Sequence, residues 1–308
     1  MTFIAEQYAR NAAAVSDAGA AVRDDGGVDG GYELLDAGDG RRLERFGGVV
    51  VDRPAPSAIE PRRDPAAWTA ADLVFARGRG WSGSAPPDQW TIELDGLTFE
   101  LRATESGQVG LFPEQAPNWA WLRDRATTAG SHEPLLNLFG YTGAATLVLA
   151  GAGRTVAHVD GSRPAVAWAR RNASLSGLAD RPIRWLVDDA DAFVAREVRR
   201  GRRYRGVVLD PPSYGHGAGG RSWRLDERLV PLLRECVSLT GGSPELVLLT
   251  AHTQGFGASR LRDELAAVLR RPTRDVDASE LFLDARSGAR LALGAFARWP
   301  AQRADHER

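Results

Sequence analysis

The chain has 308 residues, 43% of them hydrophobic, and a formal net charge of -1. That supplies core for one large domain or two smaller ones, and so balanced a charge excludes global attraction to nucleic acid, leaving any such binding to local patches. Cys236 is the only cysteine, which excludes an intrachain disulfide and a cysteine-based zinc cluster, and the absence of lysine excludes Schiff-base and P-loop lysine chemistry. No apolar stretch is long enough to span a bilayer. The opening MTFIAEQYARNAAAV lacks the charged-then-apolar build of a signal peptide. These features together predict a cytoplasmic protein with no membrane partner and no metal.

In chain order, residues 1–31 read as a short helix and a flexible connector, because DAGAAVRDDGGVDGG is rich in Asp and Gly and poor in core formers. Residues 32–112 read as a small β-rich region that binds substrate or caps the site. Within it, WTIELDGLTFELRA is the clearest hairpin: Ile92 and Leu94 alternate on one arm, Leu97, Phe99 and Leu101 on the other, with Asp95-Gly96 as the turn. Residues 113–308 form the third segment. From about Pro134 strands and helices alternate there. Strands are predicted at LLNLF (135–139), TVAHVD (155–160), IRWLVDD, YRGVVLD (204–210) and ELVLLTA. Helices are predicted at AATLVLAGAG, RPAVAWARRNASLSG, ADAFVAREVRR, LDERLVPLLRECVSL (despite Pro231) and SRLRDELAAVLRR. The end, ELFLDARSGARLALGAFARW, reads as two strands with a tight Ser287-Gly288 turn. The fold class is α/β: a Rossmann-like, doubly wound, mostly parallel sheet with an antiparallel C-terminal hairpin.

In such sheets ligands bind beyond the carboxyl ends of the strands. The successive ends here read NLFGYTG, Asp160-Gly161-Ser162, Asp188-Asp189, Asp210-Pro211-Pro212 and Thr250-Ala251-His252-Thr253. Gly140 and Gly143 allow a tight turn close to a ligand. Asp160 follows Gly140 by 20 positions, the spacing at which an acid meets a ribose hydroxyl. The G-x-G-x-x-G dinucleotide pattern is absent, which argues against a nicotinamide oxidoreductase. A loop with few glycines and no lysine suits a ligand without a pyrophosphate, such as S-adenosylmethionine.

With GLFPEQAPNWAWL, LNLFGYTG, HVDGS, VDDADAF and LDPPSYG in place, the chain resembles the class I S-adenosylmethionine-dependent methyltransferases over about residues 108–296. Within them it is similar to the 23S ribosomal RNA enzymes that modify cytosine C5 or guanine N7. The first loop departs from the broad family pattern of an acid and three glycines: Asn137, Phe139 and Tyr141 stand at the first three places and only Gly143 remains, as in the ribosomal RNA group. The resemblance implies that Asn137, Phe139, Gly140 and Gly143 line the methionine end of the cofactor, with Tyr141 also binding the cofactor. It implies Asp160 at the ribose and Asp189 with Ala190 at the adenine, with the adjacent Asp188 competing for that place. Phe112 and Gln115 would close over the cofactor.

Asp210, Pro211, Pro212 and Tyr214 are the candidate catalytic residues. The two prolines have fixed φ and no N–H, which holds their carbonyls in place without local competition. Tyr214 offers a flat face for stacking a base, and glycines 215–220 offer a flap. Cytosine C5 requires a thiol to add to the ring. The C5 enzymes that this chain resembles carry it after the fifth strand, where this chain reads LLTAHTQGF. A buried structural role is read for Cys236. The expected reaction is therefore methyl transfer to a base nitrogen of RNA, with a small-molecule or protein methyltransferase and a non-catalytic cofactor- or RNA-binding module as alternatives. His216 and His252 are candidates for substrate contact or proton transfer. The expected RNA contacts are arginine-rich patches: REVRRGRRYR (196–205), RRLERF and PRRDP.

Overall fold

A computed structural model of the chain describes residues 31–87, 90–127, 133–216 and 222–301. The helix and connector expected over 1–31 lie almost wholly outside them. The chain divides into two compact units: Met1–Pro117 with Leu281–Leu293, and Asn118–Glu280 with Gly294–Arg308.

The first unit holds a five-stranded sheet of β1 (Tyr32–Gly38), β2 (Arg41–Phe46), β3 (Val49–Pro54), β4 (Leu73–Ala76) and β5 (Gly80–Gly83), hydrogen-bonded in that order. Only β3 and β4 run parallel. The predicted hairpin is β6 (Thr91–Leu94) with β7 (Leu97–Glu100), in antiparallel register Ile92↔Phe99. Asp95 and Gly96 take φ of 60° and 75°, the double left-handed turn whose twist matches that of paired strands. Two carboxylates are built into this unit. Glu44, fully buried, receives Arg53, Arg42 and the Tyr32 hydroxyl. Asp36 accepts from the backbone of Ala37, Arg63 and Asp64, the Trp68 indole and the Ser287 hydroxyl. Through Ser287 and the backbone bonds of Arg286 and Ser287 to Leu34 and Leu35, the tip of the C-terminal hairpin is part of this unit.

The second unit contains most of a seven-stranded sheet: β8 (Leu135–Leu138), β9 (Val156–Asp160), β10 (Ile183–Val187), β11 (Gly206–Leu209), β14 (Leu246–Ala251), β15 (Asp277–Asp284) and β16 (Arg290–Trp299). Its order is β10-β9-β8-β11-β14-β16-β15. The first five strands are parallel and β16 is antiparallel to β14. The chain builds outward from β8 to β10, then crosses to β11 and builds the other way. The β8/β11 boundary is thus the switch point at which such sheets bind ligands. Alternate strand residues Leu136, Leu138, Ala157, Val159, Val207, Leu209, Val247 and Leu249 share one core with α4 (Ala190–Arg199), α5 (Leu225–Leu239) and α6 (Ala258–Leu269). The period of two assigns Asn137, His158, Val208 and Thr250 to the opposite face. Helices α2 (Ala144–Gly151) and α3 (Arg163–Leu175) both pack on β9. Burial on both faces explains why these strands read as unbroken apolar runs.

Two elements were not foreseen. Helix α1 (Ala116–Thr127) lies within a stretch read only as a motif, although Pro117 marks a first helical turn. A ribbon of β12 (Tyr214–His216) and β13 (Ser222–Arg224) forms where a loose flap was expected; glycines 217, 219 and 220 of that flap lie outside the described residues. None of the described helices is long and apolar enough to cross a membrane.

Candidate functional site

Five strand ends fall side by side along one edge of the sheet, in the order Asp188-Asp189 (β10), Asp160 (β9), Phe139–Gly143 (β8), Asp210–Tyr214 (β11) and Thr250–Thr253 (β14). From β10 to β11 is three strand spacings, about 14 Å. An elongated ligand lying across β10, β9 and β8 would thus present one end to β11 and β14.

The β8 loop concentrates left-handed backbone. Phe139 and Tyr141 take φ of 57° and 47°, and Gly143 takes 94°. Non-glycine residues in the left-handed region cost roughly 1–3 kcal/mol each and persist where surrounding contacts impose them. Those contacts are identifiable. The Gly140 amide donates to the Val159 carbonyl (3.1 Å), and the Tyr141 amide to the Asp160 carboxylate (2.9 Å). The other Asp160 oxygen receives the Ser162 amide at 2.8 Å. Burial raises the Asp160 pKa, and these two backbone bonds only partly offset it. Each carboxylate oxygen keeps a lone pair beyond its one amide, which suits a vicinal diol.

Beneath the loop lies a buried polar chain. The Asn137 amide donates to the Thr146 hydroxyl (2.8 Å), and Thr146 meets His158 Nδ1 at 2.9 Å. Thr146 thus links Asn137 of β8 to His158 of β9. Asn137 therefore supports the loop from below. His158 is fully buried, tilts against Trp185 with ring centroids 4.9 Å apart, and has its pKa lowered by burial to about 3. A Cβ on Gly140 would lie 2.4 Å from His158 Cε1, so the loop rests directly on the ring. This titration has a sign. The unfolded chain takes up a proton near pH 6.5 that the folded chain refuses until about 3, so stability falls as pH drops through that window. Unfolding free energies of the wild type from urea titrations are expected to fall by up to about 1.4 kcal/mol per pH unit from this group below pH 6.5. In His158→Gln that component should vanish; an unchanged slope would disprove it.

At the end of β10 the two acids separate. Asp188 pairs with Arg196, whereas Asp189 is the N-cap of α4 and accepts from the Ala192 amide at 2.8 Å. Asp189 thus stands at a helix N-terminus beside the ends of β9 and β10.

At the end of β11, Asp210 accepts from Thr250 at 2.5 Å and lies 3.3 Å from His252 Nε2. Burial pushes its carboxyl up. The charge and hydrogen bond of His252 and the hydrogen bond of Thr250 outweigh that and hold it below its usual range. Ser213 and Thr253 share a 2.6 Å hydrogen bond, so the β11 and β14 ends are joined twice. The Pro212 carbonyl is not without local competition, contrary to the sequence reading: the Trp223 indole donates to it at 2.8 Å. Trp223 also packs on Phe139, ring centroids 5.3 Å apart. It joins the β8 loop to the Asp-Pro-Pro turn, and nothing in RSWR announced this. Tyr214, by contrast, is 73% exposed.

Phe112 and Gln115 belong to the first unit, at the 3-10 turn Pro113–Gln115, with Gln115 buried. Cys236 is buried inside α5, its thiol pushed up by burial, and takes no part in the strand-end row. Among the described residues no cluster of His, Cys, Asp and Glu is arranged to hold a metal.

A sequence model for S-adenosylmethionine-dependent methyltransferases matches residues 76–251, more than half of the chain. The chain is 32% identical over 220 residues to the ribosomal RNA large subunit methyltransferase K/L of Magnetococcus marinus, covering 70% of this chain and 27% of that protein. It is 25% identical over 194 residues to the ribosomal RNA large subunit methyltransferase I of Alteromonas mediterranea, covering 57% and 48%. The chain therefore spans about a quarter to a half of these relatives. Among solved structures it is similar to a SAM-dependent methyltransferase from Agrobacterium tumefaciens, with TM-score 0.82, 34% identity and 93% and 95% of the two chains covered. SMU.776, a methyltransferase complexed with S-adenosylhomocysteine, shares the fold at 15% identity and TM-score 0.67, with 88% and 76% covered.

Proposed function

Because this chain belongs to the S-adenosylmethionine-dependent methyltransferases, we propose that it methylates a base nitrogen of RNA, with ribosomal RNA the favoured substrate. The observation that carries the proposal is Tyr214, a 73% exposed aromatic two residues beyond the Asp210-Pro211-Pro212 turn. An exposed ring beside fixed acceptors is suited to stacking an unpaired base, worth roughly 1–3 kcal/mol. The names of the K/L and I relatives, which methylate large-subunit ribosomal RNA, support the substrate class.

The residues present fit the methyl donor. Asp160, with lone pairs left on both oxygens, takes the ribose diol, and Asp189 with the Ala190 amide takes the adenine. Phe139 to Gly143 cradle the methionine end, where a side chain at Gly140 would collide with His158. When bound, S-adenosylmethionine supplies a sulfonium-activated methyl group. What the chain adds is alignment. Asp210 and the Pro211 carbonyl accept from the target base, Tyr214 stacks on it, and Trp223 braces the turn that carries them. His252, 3.3 Å from Asp210, helps to hold that carboxylate ionised, and the proton that an amine target releases passes to solvent. Asp210 stays ionised through neutral pH, since its pKa is lowered. A nitrogen target needs no covalent thiol, consistent with a buried and unreactive Cys236.

The test is transfer of labelled methyl from S-adenosylmethionine to RNA from cells lacking the gene, followed by nucleoside identification. Labelled N-methylated purine or pyrimidine is expected. Tyr214→Ala should lower turnover roughly 10- to 100-fold and leave cofactor affinity unchanged. Cys236→Ala should retain transfer. Label in 5-methylcytidine would overturn the nitrogen target. Cofactor binding with no label in any RNA would pass the substrate to a protein or small molecule.

A further inference from the structure

The arginine-rich segment 196–205 does not lie at the strand-end row. Helix α4 starts there, at Asp189, and runs back along the sheet. Its last turn and the loop after it reach the edge where the parallel strands begin. The Arg205 amide donates to the Pro134 carbonyl, just before β8, and the Glu245 amide donates to the Arg205 carbonyl, just before β14. Asp210 lies five positions beyond Arg205, so this edge is about 16 Å from the proposed transfer site.

The charges here are unevenly matched. Glu197, buried, serves Arg184, Arg200 and the Tyr204 hydroxyl together. Glu245 serves Arg154 and Arg205. Arg203 is held by the Ser238 carbonyl. Arg199 and Arg202 are exposed with no acid beside them among the described residues, and Arg184 and Arg200 keep 55% and 59% of their side-chain surface exposed. Counting the exposed acids Glu133 and Asp180 on neighbouring strand starts, arginines still exceed carboxylates. Cations favour a helix C-terminus by themselves, but Arg202, Arg203 and Arg205 lie beyond the last turn of α4, which that effect does not account for.

We propose that this edge is a second RNA contact, binding phosphates of a structured segment away from the nucleotide to be methylated. The inference rests on RNA being the substrate, and it adds that the RNA must be large enough to reach both edges. The exposed, unmatched guanidiniums suit phosphate oxygens, whose neutralisation releases counterions and makes affinity fall with salt.

The test is binding of the full chain to deproteinised large-subunit ribosomal RNA transcript across a salt series. The proteins are the wild type, the charge-reversed pair R199E/R202E and the neutral pair R199Q/R202Q. Calorimetric affinity for S-adenosylhomocysteine serves as the folding control. Both pairs are expected to bind RNA at least about tenfold more weakly and to lower the slope of log K against log salt by about 1.5–2, with S-adenosylhomocysteine affinity intact. Wild-type slope and affinity in the neutral pair, with cofactor binding intact, would overturn the second contact while sparing the RNA reading. A wild type with no salt-dependent affinity for the transcript would overturn both.

Discussion

Asp160→Asn is expected to weaken S-adenosylhomocysteine binding by about 100-fold or more in calorimetry, with little change in far-ultraviolet dichroism. In the wild type the carboxylate holds the Tyr141 and Ser162 amides and has lone pairs left for two hydroxyls. Hydrogen bonds to a charged group contribute about 1.5–3 kcal/mol each, so losing two corresponds to a hundredfold change or more. An asparagine also turns an N–H toward one of the two amides, which disfavours the strained turn at Tyr141. The pH dependence follows from the raised pKa. As pH falls, Asp160 takes up a proton earlier than an ordinary aspartate does. Wild-type affinity should therefore begin to fall while solvated aspartates are still ionised. Affinity within threefold of wild type in Asp160→Asn would remove this residue from the cofactor site.

Gly140→Ala is expected to damage the second unit strongly. The φ of Gly140 is outside the left-handed region, so alanine has no backbone penalty there; the cost is steric. The new Cβ would sit 2.4 and 2.5 Å from His158 Cε1 and Nδ1. The ring cannot swing aside, because Thr146 holds Nδ1 and Trp185 packs on its face. Overpacking of this kind costs about 1–3 kcal/mol, a fall in Tm of roughly 2–12 °C for a unit of this size, and the displaced loop loses its cofactor. The mechanism is checked by a double-mutant cycle. His158→Ala is costly by itself, but should cost little more, or restore stability, in the Gly140→Ala background. Additive losses would mean that the collision is not the cause.

How much of this was legible depended on whether a signal was local. Turn chemistry at Asp95-Gly96 and the apolar runs of β8, β9, β11 and β14 depend on neighbouring residues, and they located those elements within a residue or two. The acids closing β9, β10 and β11 were legible for the same reason, since a polar residue ending a buried strand stands out. The partners of those acids were not. The choice of Arg196 by Asp188, the underside network of Asn137, Thr146 and His158, and the Thr250–Asp210–His252 contacts join residues brought together only by the sheet. Trp223 is the clearest case. Its two neighbours lie 11 and 84 positions away in sequence, and its own surroundings resemble any loop. The arginine run was conspicuous in sequence, yet its position was not, because the direction of α4 decides which edge it reaches.

The Trp223 bridge also bears on how the protein can be re-engineered. One indole braces the turn proposed to meet the acceptor and walls the loop proposed to hold the donor. Grafting the acceptor turn of a relative, without its own partner for Phe139, would strip a wall from the donor loop. The two loops form a single structural module, and under the proposed roles a change of acceptor preference requires exchanging them as a pair.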